Sequence, residues 1–61
     1  MRLTKANMEM MLKEFKTDMY DGEFATDEMA TDFSFYTEGY ELKEPQVEKL
    51  YEYFNKNWER V

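Results

Sequence analysis

Met8, Met11, Leu12, Phe15 and Met19 recur at spacings of 3, 1, 3 and 4, and Val47, Leu50, Tyr51, Phe54, Trp58 and Val61 at 3, 1, 3, 4 and 3. That rhythm gathers apolar side chains on one face only when each residue turns by about 100°, so both ends of the chain are predicted to be amphipathic α-helices. A strand, with its period of two, would scatter the same residues over both faces. Two such helices occupy about half of a 61-residue chain, which leaves room for a single core and a single domain, residues 1–61. A domain of this size buries only about 60% of the surface its unfolded chain exposes. Efficient helix packing, or a homodimer, is expected to supply the missing stability.

Local signals set the boundaries. Thr4 reads as an N-cap, with Leu3 and Met8 placed to staple across it, and Gly22 as a C-cap, which gives a first helix from about Lys5 to Tyr20. Pro45 fits the first turn of a helix from about Glu44 to Glu59, and Leu42 is placed to staple against Val47. The middle admits two readings. Thr26, Asp27 and Glu28 form a helix start, Met29, Phe33 and Tyr36 follow at helical spacing, and Gly39 offers a cap. Against this, Phe33, Phe35 and Thr37 alternate, and Glu38–Gly39 could turn a β-hairpin over residues 33–42. An isolated hairpin is marginal in water, so the expected fold is an all-α three-helix bundle, with an α+β arrangement as the alternative. Its core would comprise Met8, Met11, Leu12, Phe15, Met19, Met29, Phe33, Val47, Leu50, Tyr51, Phe54 and Trp58.

The chain has no cysteine and no histidine, which removes disulfides, Cys/His zinc sites, thiol nucleophiles and the commonest general base. No Gly-rich phosphate loop or nucleophile motif is present, and the expectation is a protein that binds and does not catalyse, with no cofactor. No run of apolar residues follows Met1, so neither a leader nor a membrane span is read, and a cytoplasmic location is expected. A net charge of −6 disfavours direct contact with nucleic acid or an anionic membrane, because both reward cations; the expected partner is a basic protein.

The charge is unevenly placed. Residues 1–16 carry four basic and two acidic groups and residues 43–61 four of each, whereas Asp18, Asp21, Glu23, Asp27, Glu28, Asp32, Glu38 and Glu41 fall in a stretch with no Lys or Arg. In the last helix, Glu44, Glu48, Glu52, Lys56 and Arg60 step from acid to base every four residues, an order that dipole and pairing effects account for without any further role. Asp27 and Glu28, at a helix start, are explained in the same way. The first helix breaks the rule, with Arg2 and Lys5 at its start and Asp18 and Asp21 at its end, and Glu14, Asp18 and Asp21 at like-charged spacing. Such a departure from local preference marks a surface where function is to be sought.

Three functions are compatible with these features. The leading expectation is a surface of carboxylates from Glu14 to Glu41, with Tyr20, Phe24, Tyr36 and Tyr40 interleaved as anchors, that occupies a basic groove of a nucleic-acid-binding protein. In size, acidity and lack of cysteine the chain resembles small viral inhibitors of host nucleases, restriction and CRISPR complexes, and polymerases. The resemblance is one of type, implies a nucleic-acid mimic, and assigns no residues. The second expectation is an assembly module acting through apolar faces, suggested by six methionines. The third is calcium binding, since Asp21, Gly22, Phe24 and Glu28 fit positions of an EF-hand loop, although Thr17 and Met19 stand where two ligands belong.

Overall fold

The computed structural model describes residues 1–61 and contains three α-helices and no strand: α1 Lys5–Asp18, α2 Asp27–Gly39 and α3 Glu44–Asn57, followed by a 3-10 turn, Trp58–Arg60. The chain is a small three-helix bundle, and the hairpin alternative is set aside: residues 33–39 are helical. Thr4 and Thr26 cap α1 and α2, each hydroxyl accepting an N–H three residues on, from Asn7 and Met29 at 3.1 Å. Lys43 occupies the N-cap of α3, and its N–H is satisfied by the Gln46 side chain at 3.0 Å, with Pro45 in the first turn.

The helix ends depart from expectation. Neither glycine adopts the left-handed backbone; the positive φ angles belong to Ala25 (65°) and Glu41 (56°). At the end of α2, Leu42 N–H donates to the Thr37 carbonyl and Glu41 N–H to the Glu38 carbonyl, the paired bonds of a Schellman motif with Glu41 in the left-handed position. Gly39 is still inside the helix. Gly22 lies beyond α1, which stops at Asp18, and its lack of a side chain has another cause: a Cβ there would stand 2.6 Å from the Tyr20 hydroxyl oxygen and 2.8 Å from the ring carbon bearing it.

The core is one cluster of Leu3, Met8, Met11, Leu12, Phe15, Met29, Phe33, Tyr36, Leu50, Phe54 and Trp58. Nine of the eleven aromatic rings form a connected network through it, with centroids 5.0–6.3 Å apart and mostly edge-on or tilted, the geometry that ring quadrupoles favour. Three expected core members differ. Met19 is exposed because the helix ends one residue earlier and the apolar stripe loses its phase. Tyr51 lies at the rim, with its ring against Phe24 and Phe33. Val47 is half-buried beside the core, while Leu3 and Tyr36 join it.

Candidate functional site

The acidic stretch divides into two groups. Asp18, Asp21 and Glu23, from the end of α1 and the following loop, join Asp27 and Glu28 at the start of α2; Glu38 and Glu41 lie at its far end. From Asp27 to Glu38 the rise of the helix is about 16 Å. All seven are exposed, and Asp32 between them is half-buried. None has a cationic partner: both ion pairs of the molecule, Lys13–Glu9 and Arg60–Glu9, use Glu9.

Glu14 stands apart from this surface. The hydroxyls of Tyr36 and Tyr40 both donate to its Oε1, at 2.5 and 2.6 Å, and they hold the carboxyl below its ordinary range. Tyr36 is 8% exposed; burial first, and the Glu14 carboxylate second, push its hydroxyl far above the usual tyrosine range. The hydrogen bond to Glu14 likewise raises Tyr40. Glu14, Tyr36 and Tyr40 therefore join α1 to α2 and are spent inside the fold. The like-charged face expected at Glu14, Asp18 and Asp21 does not form, because the helix ends before Asp21 and Glu14 is turned to the tyrosines.

Tyr20 and Phe24 also differ from the expected role of free anchors. The Tyr20 hydroxyl donates to the Glu23 carbonyl and lies 2.8 Å from Thr26 Oγ1, and its ring stacks on Trp58 at 6.2 Å. Phe24 packs between Tyr51 and Trp58 at 5.0 and 5.4 Å, and Trp58 Nε1 donates to the Gly22 carbonyl at 2.9 Å. These aromatics pin the backbone that carries Asp21, Glu23 and Asp27. The acids are thus displayed on a loop whose conformation is fixed from beneath, which lowers the ordering cost of binding.

The exposed aromatic is one that the sequence left unassigned. Phe35 is 64% exposed and belongs to no ring pair, while Phe33, two residues earlier, is buried. At about 100° per residue, Phe35 shares the outer face of α2 with Asp27, Glu28, Thr31, Ser34 and Glu38, all exposed and opposite Met29, Phe33 and Tyr36. Its signal in the sequence was the alternation with Phe33, which reads as a strand when the helical period is not applied to both residues. The other exposed large apolar side chains are Met1 before α1, Met10 within it, Met19 beyond its end, Tyr51 on α3 and Val61 after the 3-10 turn.

No three His, Cys, Asp or Glu side chains come together to hold a metal ion, and of the positions that match an EF-hand loop Gly22 gives its carbonyl to Trp58 Nε1 while Phe24 packs against Tyr51 and Trp58. The largest surface depression, about 590 Å³, surrounds Glu9, Tyr53, Asn57 and Arg60. Arg60 and Tyr53 both donate to Glu9 and hold its carboxyl down to about 2, Arg60 contributing most, while Asn57 accepts from Arg60 and donates to the Tyr53 carbonyl. This cluster ties the 3-10 turn to α1 and its polar atoms are committed internally. No helix is long and apolar enough to cross a membrane. No family model, no curated protein and no solved structure matches the chain.

Proposed function

We propose that the protein is a binding protein that captures a basic partner through the outer face of α2 and the acidic loop before it, with Phe35 as the apolar anchor. The observation that carries this reading is the 64% exposure of Phe35 on a face whose carboxylates have no internal cation. A bundle with so small a core gains nothing from leaving its least buried phenylalanine in water among unneutralised acids. A partner that covers the ring and brings Lys or Arg to Asp27, Glu28 and Glu38 would relieve both costs.

The partner class that fits is a protein with a basic surface of the kind that binds nucleic acid. Carboxylates at the two ends of α2 stand where phosphates would lie, and Phe35 fills an apolar space between. Blocking by occupancy follows, with no chemistry required.

The test is affinity capture with the immobilised protein at near-physiological salt, beside Phe35→Ala and the triple variant Asp27→Asn, Glu28→Gln, Glu38→Gln. A nucleic-acid-handling protein held by the native chain, released by DNA or RNA and lost from both variants is the expected result. The same partner held equally by all three forms would refute the assignment of this face.

A further inference from the structure

Between α2 and α3 the surface is grooved. One depression of about 500 Å³ is lined by Phe33, Val47, Tyr51, Glu48 and Glu52. A second, of about 340 Å³, shares Val47 with it and adds Leu42, Ser34, Thr37, Glu38 and Glu44. A third shares Ser34 and Glu38 with the second and ends at Phe35. The three adjoin through these shared residues, from Phe35 past Val47 to Tyr51; Leu42, Val47 and Tyr51 supply apolar lining and glutamates border each of them. No Lys or Arg lines any of the three.

The glutamate ladder of α3 takes on a different meaning here. Glu44, Glu48 and Glu52 are exposed and form no ion pair; Arg60, at the end of the expected ladder, is drawn back to Glu9 through the 3-10 turn. The ladder is therefore two like-charged steps along the groove, each mildly unfavourable in the free protein. The three carboxylates recur once per helical turn over about 12 Å.

We propose that this groove is the docking site for a cationic amphipathic helix of the partner, whose apolar side chains seat on Phe33, Val47 and Tyr51 while Lys or Arg at successive turns meet Glu44, Glu48 and Glu52. The proposal rests on the reading of the protein as a binder of basic partners and specifies what the partner presents. A helix suits the site because a cation every turn on one side of an apolar stripe matches carboxylates every turn beside an apolar lining. A two-fold-related second copy does not, since it would set glutamates against glutamates.

The probe is an amidated Leu/Lys peptide of about five turns with all leucines on one face, dye-labelled, beside an isomer of the same composition scrambled to remove that face. Fluorescence anisotropy at near-physiological salt is expected to show the amphipathic peptide bound at least about tenfold more tightly than its isomer. Glu48→Gln with Glu52→Gln, both exposed and so harmless to the fold, should weaken it by about tenfold, and Val47→Lys should abolish the preference. Glu59→Gln, exposed in the 3-10 turn and lining no part of the groove, should leave it unchanged. Equal binding of the two peptides, or binding of neither, overturns the docking site; the basic-partner reading is decided separately, by capture beside Phe35→Ala and the α2 triple variant. A preference that survives Val47→Lys in a protein with native circular dichroism places the seat elsewhere. Self-association of the free protein that Glu48→Gln with Glu52→Gln abolishes would assign the groove to a second copy and also overturn the proposal.

Discussion

Phe33→Ala and Phe35→Ala make the same chemical change two residues apart, and the fold requires opposite consequences. Phe33 is 5% exposed and meets Phe15, Tyr51 and Phe54 edge-on, so its truncation opens a cavity in the only core the chain has. A buried Phe→Ala costs about 3–5 kcal/mol, a large part of the stability a domain of this size possesses. Phe35 is 64% exposed and meets no other ring, and alanine is the better helix former by about 0.5 kcal/mol, so Phe35→Ala should leave stability within about 0.5 kcal/mol of native. For a domain this small, that is a shift of about 2–4 °C in Tm. Binding should move the other way. With roughly 200 Å² on a phenylalanine, about 130 Å² of Phe35 stays in water; covering it is worth about 3 kcal/mol, of which alanine would keep a third or less. The loss is about 2 kcal/mol, or roughly thirtyfold in Kd. Thermal denaturation followed by circular dichroism reads the first effect and titration with the captured partner the second. A strand would place both rings on one face and make the two variants behave alike. Similar destabilisation by both substitutions would refute the helical phase and the spare role of Phe35; an unaltered Kd for Phe35→Ala would refute its role as an anchor.

Three further outcomes follow from the same geometry. Glu41→Gly removes a left-handed strain of about 1–2 kcal/mol and adds part of that back as unfolded-state entropy, so the net gain should be about 0.5–1 kcal/mol, visible as a higher Tm. Gly22→Ala, at a residue whose φ is ordinary, should still cost about 1–3 kcal/mol, because its methyl meets the Tyr20 ring that is tied to Glu23 and Thr26; a near-neutral melt would show that the ring moves freely. Glu9 is held down to about 2 in the folded protein, so its contribution is complete above about pH 5 and is lost as pH falls toward 2; the stability difference between native protein and Glu9→Gln should shrink over that window, and a difference independent of pH would contradict the Arg60 and Tyr53 bonds.

The helices were legible because their cause is local and repeated. The stripes through Met8–Phe15 and Val47–Trp58 need nothing but period, and the threonine caps need only the adjacent N–H groups. The ends were less so, since the sequence signals for a helix stop are glycines. In this fold Glu41 takes the left-handed position and Gly22 serves a ring from the side, both set by where Leu42 and Trp58 must reach the core.

The site was half legible for a different reason. Charge survives folding: carboxylates that cannot be buried alone stay on the surface, and seven of the eight acids between Thr17 and Leu42 are exposed. Aromatic residues carry no such guarantee, because the same ring serves a core or an interface. Tyr20, Phe24, Tyr36 and Tyr40 lie beside the acids in sequence, yet three of them have hydroxyls that find partners inside the fold and the fourth packs on Trp58. Whether a ring faces inward depends on its phase relative to its helix, and that phase is known only once the helix is chosen over the hairpin. With the choice made, Phe33 and Phe35 separate by about 200°, one enters the core, and the other is left on the acidic face as the side chain with the most to gain from a partner.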